Sequence, residues 1–343
     1  MNKWYLEHNP DDDIAVSTRI RLARNLRAYP FENRMTPEQK KKLLSDVKTL
    51  LQNASLKEKM ELGFIELEKL TPEQNFSLVE KHLISPAFSQ NPKNAGLALS
   101  PDESIAVMIN EEDHIRIQTL SSGLNLKQTL QAANRIDDIL DASLLYAFDE
   151  KLGYLTQCPT NLGTGLRASV MLHLPALEAN GVIGRISQMV SKLGLTIRGT
   201  YGEGTRVNGA FYQLSNQVTL GISEEGAIEN LRAIASQIIA QERASRSAEL
   251  GDYMEDKVWR AYGVLSSARL LTNDEFIELV SILRMGVSQG ILKGISYGEI
   301  NALINTTGPA TIMAQEGRAM EAGERDKLRA AIVRERLYSL NEN

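Results

Sequence analysis

Two periods of apolar spacing alternate along the first 250 residues, and only the helical one continues past Gly251. Thr36-Pro37-Glu38-Gln39 combines an N-cap, a proline at the first helical position and a capping-box partner, and Leu43, Leu44, Val47, Leu50 and Leu51 follow at helical spacing. Thr71-Pro72-Glu73-Gln74 repeats the device, and the helix it predicts ends near His82, before Pro86. A third helix is predicted from Asn125 to Ala147, with Leu130, Ala133, Ile136, Leu140 and Leu144 as its apolar stripe. Others are expected from Gly181 to Leu193 and, capped by Ser223, through Ile228, Leu231, Ile234, Ile238 and Ile239 to about Arg246. Strand character marks Ser17 to Asn25, Ser104 to Asn110, Ala168 to Pro175, the approach to Arg198, Ala210 to Leu214 and Gln217 to Leu220. Beyond Gly251, capping boxes at Thr272-x-x-Glu275 and Ser296-x-x-Glu299 introduce further helices. The change of pattern predicts two domains, residues 1–250 and an all-helical 251–343.

Polar residues at the strand ends change the picture. Arg19 and Arg21 share one face of an alternating strand, where two guanidinium groups repel unless an anion lies between them. Surface arginines on a solvated face are the alternative. Glu111-Glu-Asp-His-Ile-Arg116 follows another strand, and continued alternation would put Glu112, His114 and Arg116 on one face, where acid and arginine could equally pair with each other. Cys158-Pro-Thr-Asn-Leu-Gly-Thr-Gly-Leu-Arg167 gathers the only cysteine, two glycines spaced for tight turns and an arginine, a combination suited to a phosphate. Gly163-x-Gly165-x-x-Ala168 formally matches a dinucleotide fingerprint. A strand rather than a helix follows it, however, and Gly184 and Arg185 stand where the acidic residue about 20 positions on should be. A second glycine-rich turn, Arg198-Gly-Thr-Tyr-Gly-Glu203, repeats the pairing of arginine and acid.

Composition sets limits on these readings. The 343 residues carry a net charge of -5, which argues against a phosphate-backbone binder and makes any anion site local. One cysteine excludes an internal disulfide framework, the N-terminus is polar and acidic rather than a signal peptide, and no apolar run reaches the roughly 18 residues that span a membrane. A cytoplasmic protein is expected, with no membrane and no nucleic-acid partner. Five arginines, Arg19, Arg21, Arg116, Arg167 and Arg198, stand at strand or glycine-turn positions, two of them beside Glu112 and Glu203. A nucleoside triphosphate carries about four negative charges, of which Mg²⁺ offsets about two, so a cradle without lysine needs several arginines. The carboxylates then suit a cationic acceptor.

Ser17 to Arg21, Asn110 to Arg116, Cys158 to Arg167 and Arg198 to Glu203 resemble, in order, the catalytic domain of the phosphagen (guanidino) kinase superfamily over roughly residues 14 to 245. The chain lacks the helical domain that precedes these motifs in creatine and arginine kinases and carries a helical extension after them. That arrangement is similar to the bacterial protein arginine kinase (McsB) family, whose RDxxRA phosphoarginine-sensing motif is matched by Arg325, Asp326, Arg329 and Ala330.

The resemblance implies an α+β fold, a mostly antiparallel sheet flanked by helices, followed by an all-α C-terminal domain that dimerises and senses phosphoarginine. It implies a nucleotide site at Ser17, Thr18, Arg19, Ile20 and Arg21, His82, Arg116, Arg167, Ala168, Ser169, Val170 and Met171, and Arg198, Gly199, Thr200, Tyr201, Gly202 and Glu203. His82 would lie on the adenine side; where metabolite kinases have a second histidine, this chain has Met171, with His173 two residues on. Glu112 and Glu203 would hold the acceptor guanidinium, Cys158 would stand beside it, and Arg116, Arg167 and Arg198 would act on the phosphates in catalysis. ATP and Mg²⁺ are the implied cofactors, the metal held mainly by ATP phosphates and water rather than by the protein. The implied partners are proteins with exposed arginine, an activator or adaptor, a Clp-type unfoldase-protease and a second copy of the chain. The activity expected is phosphorylation of arginine side chains in proteins, marking them for proteolysis under stress. A kinase of free arginine or another guanidino metabolite, and an inactive phosphoarginine-binding adaptor, are the alternatives.

Overall fold

The computed structural model of the chain describes residues 2–58, 61–199, 208–248 and 251–341. The strands are β1 (Ala15–Arg24), β2 (Gly63–Glu66), β3 (Gly96–Leu99), β4 (Ile105–Ile109), β5 (Ile115–Ser122), β6 (Phe148–Asp149), β7 (Gly153–Tyr154), β8 (Leu166–His173), β9 (Leu195–Gly199) and β10 (Phe211–Asn216). Eight of them form one sheet in the order β2-β3-β4-β5-β1-β8-β10-β9, antiparallel at every junction, and β6 and β7 form a separate hairpin.

The helices of the sheet region are α1 (Pro37–Glu58), α2 (Pro72–Glu80), α3 (Pro86–Gln90), α4 (Leu126–Asp141), α5 (Pro175–Ala179), α6 (Ile183–Lys192) and α7 (Glu224–Ala248). The capping residues act as their positions predict. Thr36 and Gln39 exchange side-chain-to-backbone bonds before α1, as Thr71 and Gln74 do before α2. Alternation gives the sheet one apolar face. Ile20 and Leu22, Ile115 and Ile117, Leu166, Ala168 and Val170, Leu214 and Ile197 point to that side and share a core with the stripes of α1, α4 and α7. Arg24 anchors the end of β1 there by donating to the Asp137 carboxylate of α4 at 2.6 to 3.1 Å, with its guanidinium 3.6 Å from the Tyr154 ring.

The chain continues into α8 (Asp252–Ser267), α9 (Asn273–Ser288), α10 (Tyr297–Thr306), α11 (Pro309–Glu316) and α12 (Ala322–Asn341). These helices build their own core from Val258, Phe276, Val280, Leu283, Ile300 and Val333, but Val16 of β1 and Phe211 of β10 belong to it as well. The junction is also polar. Buried Arg246 of α7 donates to Glu242, the Asp13 and His173 carbonyls and Ser288 of α9, and the His173 ring meets Ser281 of α9 at 2.8 Å. The helical extension is thereby tied to the end of β8 and, through Arg246, to the residues before β1. Gln217 to Leu220, expected as a strand, is an irregular connection, for a reason found at Gly163.

Candidate active site

The second face of the sheet carries the arginines. Register places Arg21 of β1 directly opposite Arg167 of β8, Ala23 opposite Arg116 of β5, Arg19 opposite Ser169, and Gln213 of β10 opposite both Met171 and Arg198 of β9. All five arginines therefore project to one side. Among the described residues no carboxylate pairs with Arg19, Arg21 or Arg167, and Arg21 Nε is buried without an acceptor. Burial, then the nearby Arg167 and Arg116, pulls the Arg19 pKa down to about 10. Burial and its arginine neighbours push Arg21 well below the ordinary value, and Arg167 is lowered by burial, Arg198 and Arg116. Such a cluster is unfavourable until an anion reaches it. Thr18, Ile20, Ala168 and Val170 direct their side chains to the opposite, helix-packed face, so what they can offer this side is backbone.

The acids arrive on a turn. Asn110 has φ 61 and its N–H closes on the His114 carbonyl at 2.9 Å, so β5 begins only at Ile115. Strand alternation through Glu112, His114 and Arg116 fails for this reason. The His114 ring turns inward, accepting from Leu26 N–H at 2.9 Å and meeting the Pro30 carbonyl at 2.8 Å. Asp113 is buried too, accepting from Asn25 at 2.6 Å and from Gln157 N–H at 2.8 Å, which brings the Cys158 segment beside the turn. The two remaining acids hold Arg116: Glu111 at 2.6 Å and Glu112 at 2.8 Å. Glu111, not singled out from the sequence, is buried and accepts from Ser85 Oγ at 2.6 Å, whereas the Glu112 side chain is 40% exposed. Its signal was the acid run before a single arginine.

Cys158 caps the short turn Pro159–Asn161, with its Sγ 3.0 Å from the Thr160 hydroxyl, and it lies near enough to Arg167 to oppose the fall in that arginine's pKa. The glycines after it serve the backbone. Gly163 has φ +101, and a Cβ there would lie 2.1 Å from the Thr219 carbonyl. Thr219 in turn donates its hydroxyl to the Thr160 and Leu162 carbonyls at 3.0 and 2.7 Å, which is why residues 217–220 follow this loop instead of forming a strand. Gly163→Ala is expected to cost more than about 2 kcal/mol, combining left-handed strain with a backbone collision; a fall in the urea midpoint at constant slope would measure it, and an unchanged midpoint would contradict it.

A small pocket of about 20 Å³ lies at the other end of the row, lined by Trp4, Ser17, Arg19, His82, Ser169 and Met171, with Gln213 beside them accepting from Arg19 at 2.9 Å. His82 sits in the left-handed region, φ 58, and burial plus the charge of Arg19 draws its pKa down to about 4. Met171 lines this pocket. His173 does not, being held in the junction with α9. Trp4 and Gln213 were not evident in the sequence. A cavity of about 1000 Å³ opens on the acid side, bordered by Glu111, Glu112, Ser85, Phe88, Lys93 and Gln157.

Gly199 ends β9, while Thr200, Tyr201, Gly202 and Glu203 lie outside the described residues. The C-terminal motif stands apart from the row, on α12. Arg325 donates to the Met320 carbonyl at 3.0 Å, and Arg329, almost wholly buried, donates to Asp326 and the Leu271 carbonyl at 2.8 Å and to the Thr307 carbonyl at 2.9 Å, with Ala330 in the core beneath. Among the described residues no group of three His, Cys, Asp or Glu side chains is placed to hold a metal ion, and no helix is long and apolar enough to cross a membrane.

The family model for the ATP:guanido phosphotransferase C-terminal catalytic domain matches residues 42–245, and that for the protein-arginine kinase McsB C-terminal domain matches residues 251–343. The crystal structure of a lombricine kinase superposes with a TM-score of 0.60 at 27% identity, covering 72% of this chain and 70% of that one. The antiparallel sheet and the matched domain define a phosphotransferase of the ATP:guanido class, using ATP as phosphoryl donor. A protein-arginine kinase of Desulforamulus reducens is 47% identical over 99% of this chain and 96% of its own length, and one of Halalkalibacterium halodurans 45% identical over 100% and 97%. The chain belongs to the protein-arginine kinase family.

Proposed function

We propose that the arginine row grips the phosphates of ATP and that the acid turn presents an arginine side chain of a protein substrate to the γ-phosphorus. The observation that carries this reading is the half-buried set Arg19, Arg21 and Arg167, without carboxylate partners among the described residues, next to a turn with one acid whose side chain is 40% exposed. The donors of the row are all cationic nitrogens, so Mg²⁺ would be held mainly by phosphate oxygens and water, where it would offset part of the phosphate charge. A guanidinium, with a pKa above about 12, is a poor nucleophile until it loses a proton. Glu112 accepts that proton as the N–P bond forms and the bond to the ADP oxygen breaks. Arg116, Arg167 and Arg198 offset charge on the transferring group, Cys158 shapes the acceptor edge, and Glu203 is the second acid by family resemblance. By family resemblance His82 stands on the adenine side, with Met171 near it in the small pocket beside Arg19.

The cavity of about 1000 Å³ beside Glu112 has far more room than a guanidinium fills, which favours a polypeptide acceptor over free arginine. By family resemblance the product marks proteins for a Clp-type protease in the stress response. The enzyme is cytoplasmic and works as a homodimer with an adaptor, and phosphoarginine is sensed around Arg325, Asp326, Arg329 and Ala330. Incubation with ATP, Mg²⁺ and either casein or free arginine tests the core of the reading. Acid-labile phosphate is expected on casein; label confined to free arginine would make this a metabolite kinase, and label on neither an adaptor.

A further inference from the structure

The N-terminus of α11 already holds an anion from the sheet region. The Glu80 carboxylate accepts the backbone N–H groups of Ala310 and Thr311, each at 2.7 Å, and the Thr311 hydroxyl at 2.8 Å. Those N–H groups have no partner within their own helix, and the helix dipole favours negative charge there. Ser77, one turn back on α2, adds a hydroxyl contact to Thr311 at 3.3 Å. Gly308 leaves the room required: its φ of -60 suits any residue, yet a Cβ would lie 2.4 Å from Glu80 Oε2.

Each end of this contact leads to a site. On the C-terminal side, Thr307 just before α11 accepts from Arg329, itself bound to Asp326. On the other side, Glu80 is the last residue of α2, and two residues later the chain makes its left-handed turn at His82. The His82 carbonyl accepts from Gln118 of β5 at 2.8 Å, and its ring borders the pocket with Arg19. A non-glycine residue keeps such a backbone only where its surroundings hold it.

We propose that Glu80 is a positioning residue for the nucleotide pocket: fixed by α11, it holds the end of α2 so that His82 keeps its turn beside Arg19. The inference rests on reading the His82 pocket as the nucleotide's. The Glu80 carboxylate and the Ser77–Thr311 contact join α11 to α2, so a displacement of α11 reaches His82 and the C-terminal helices bear on the shape of a pocket they do not line.

Steady-state kinetics of the full chain with ATP and casein test this in Glu80→Ala, Glu80→Gln and His82→Ala. In Glu80→Ala the KM for ATP is expected to rise about ten-fold while kcat falls no more than about twofold, a loss of ground-state binding. Glu80→Gln keeps an acceptor oxygen and recovers part of the difference. A merely structural role would lower the active fraction, and with it kcat, without moving KM. Should Glu80→Ala not fold, Gly308→Ala displaces the carboxylate without removing it and is expected to raise KM in the same direction. An unchanged KM at both positions 80 and 308, with a raised KM in His82→Ala, overturns the inference alone; an unchanged KM in all the variants overturns the pocket reading with it.

Discussion

Glu112→Gln is expected to slow phosphotransfer by about three orders of magnitude while leaving ATP affinity within about twofold. The geometry separates the two effects. Arg116 is held by Glu111 at 2.6 Å as well as by Glu112 at 2.8 Å, so the neutral amide leaves that guanidinium paired and in place. Glu111 is buried against Ser85 and already committed; Glu112, with its side chain 40% exposed, is the acid a substrate can reach. Glutamine preserves shape and one acceptor oxygen but cannot take a proton from a guanidinium. Single-turnover rates with casein, beside calorimetric titration of ATP, measure the two terms separately. Near-normal turnover would remove Glu112 as the base, and an equal collapse of ATP affinity would show that its role is to orient Arg116.

The residues of this site were legible in the sequence to different degrees, and the differences have physical causes. Arg19 and Arg21 could be placed on one face because a strand has period two, and the stripe of α4 could be read because a helix has period 3.6. Register is another matter. That Arg21 faces Arg167 across β1 and β8 depends on pairings between segments more than a hundred residues apart, which no local pattern records. Glu112 and His114 were misread as a continuing strand because the left-handed turn at Asn110 is marked only by asparagine's tolerance of that backbone, a weak signal in an Asn-Glu-Glu-Asp string. Gly163 looked like a phosphate-binding glycine; its neighbours are backbone from residues 219 and 220, a close approach that only the tertiary structure reveals. Arg329 was placed only by its motif, and nothing local shows that two loop carbonyls, Leu271 and Thr307, draw it into the interior. The family resemblance assigned roles to many of these positions without disclosing which are held by packing.

Arg21→Met is expected to have opposite effects on activity and on the stability of the free protein. Arg21 lies directly across the β1 and β8 pairing from Arg167, and like charges opposed in that way destabilise a sheet. Arg19, Arg116 and Arg167 all act to lower its pKa, Glu111 alone opposing them, and its Nε is buried without an acceptor. Methionine has comparable length and no charge, so without nucleotide the substitution relieves repulsion and the cost of that unpaired donor. A gain of about 1 kcal/mol would raise the melting temperature by about 2 °C in a chain of this size. With ATP bound the balance reverses. The variant lacks one donor aimed at the phosphates, and kcat is expected to fall by about 10² to 10³, by analogy with loss of a single oxyanion donor. Nucleotide should also stabilise the variant less than the parent, because stabilisation follows the ratio of ligand concentration to Kd. Thermal melts with and without ATP, paired with the casein assay, give all three quantities on the same preparations. A variant that melts lower than the parent and still phosphorylates casein at the parental rate would mean that Arg21 supports the sheet instead of opposing it, and the site would have to be assembled from the other four arginines.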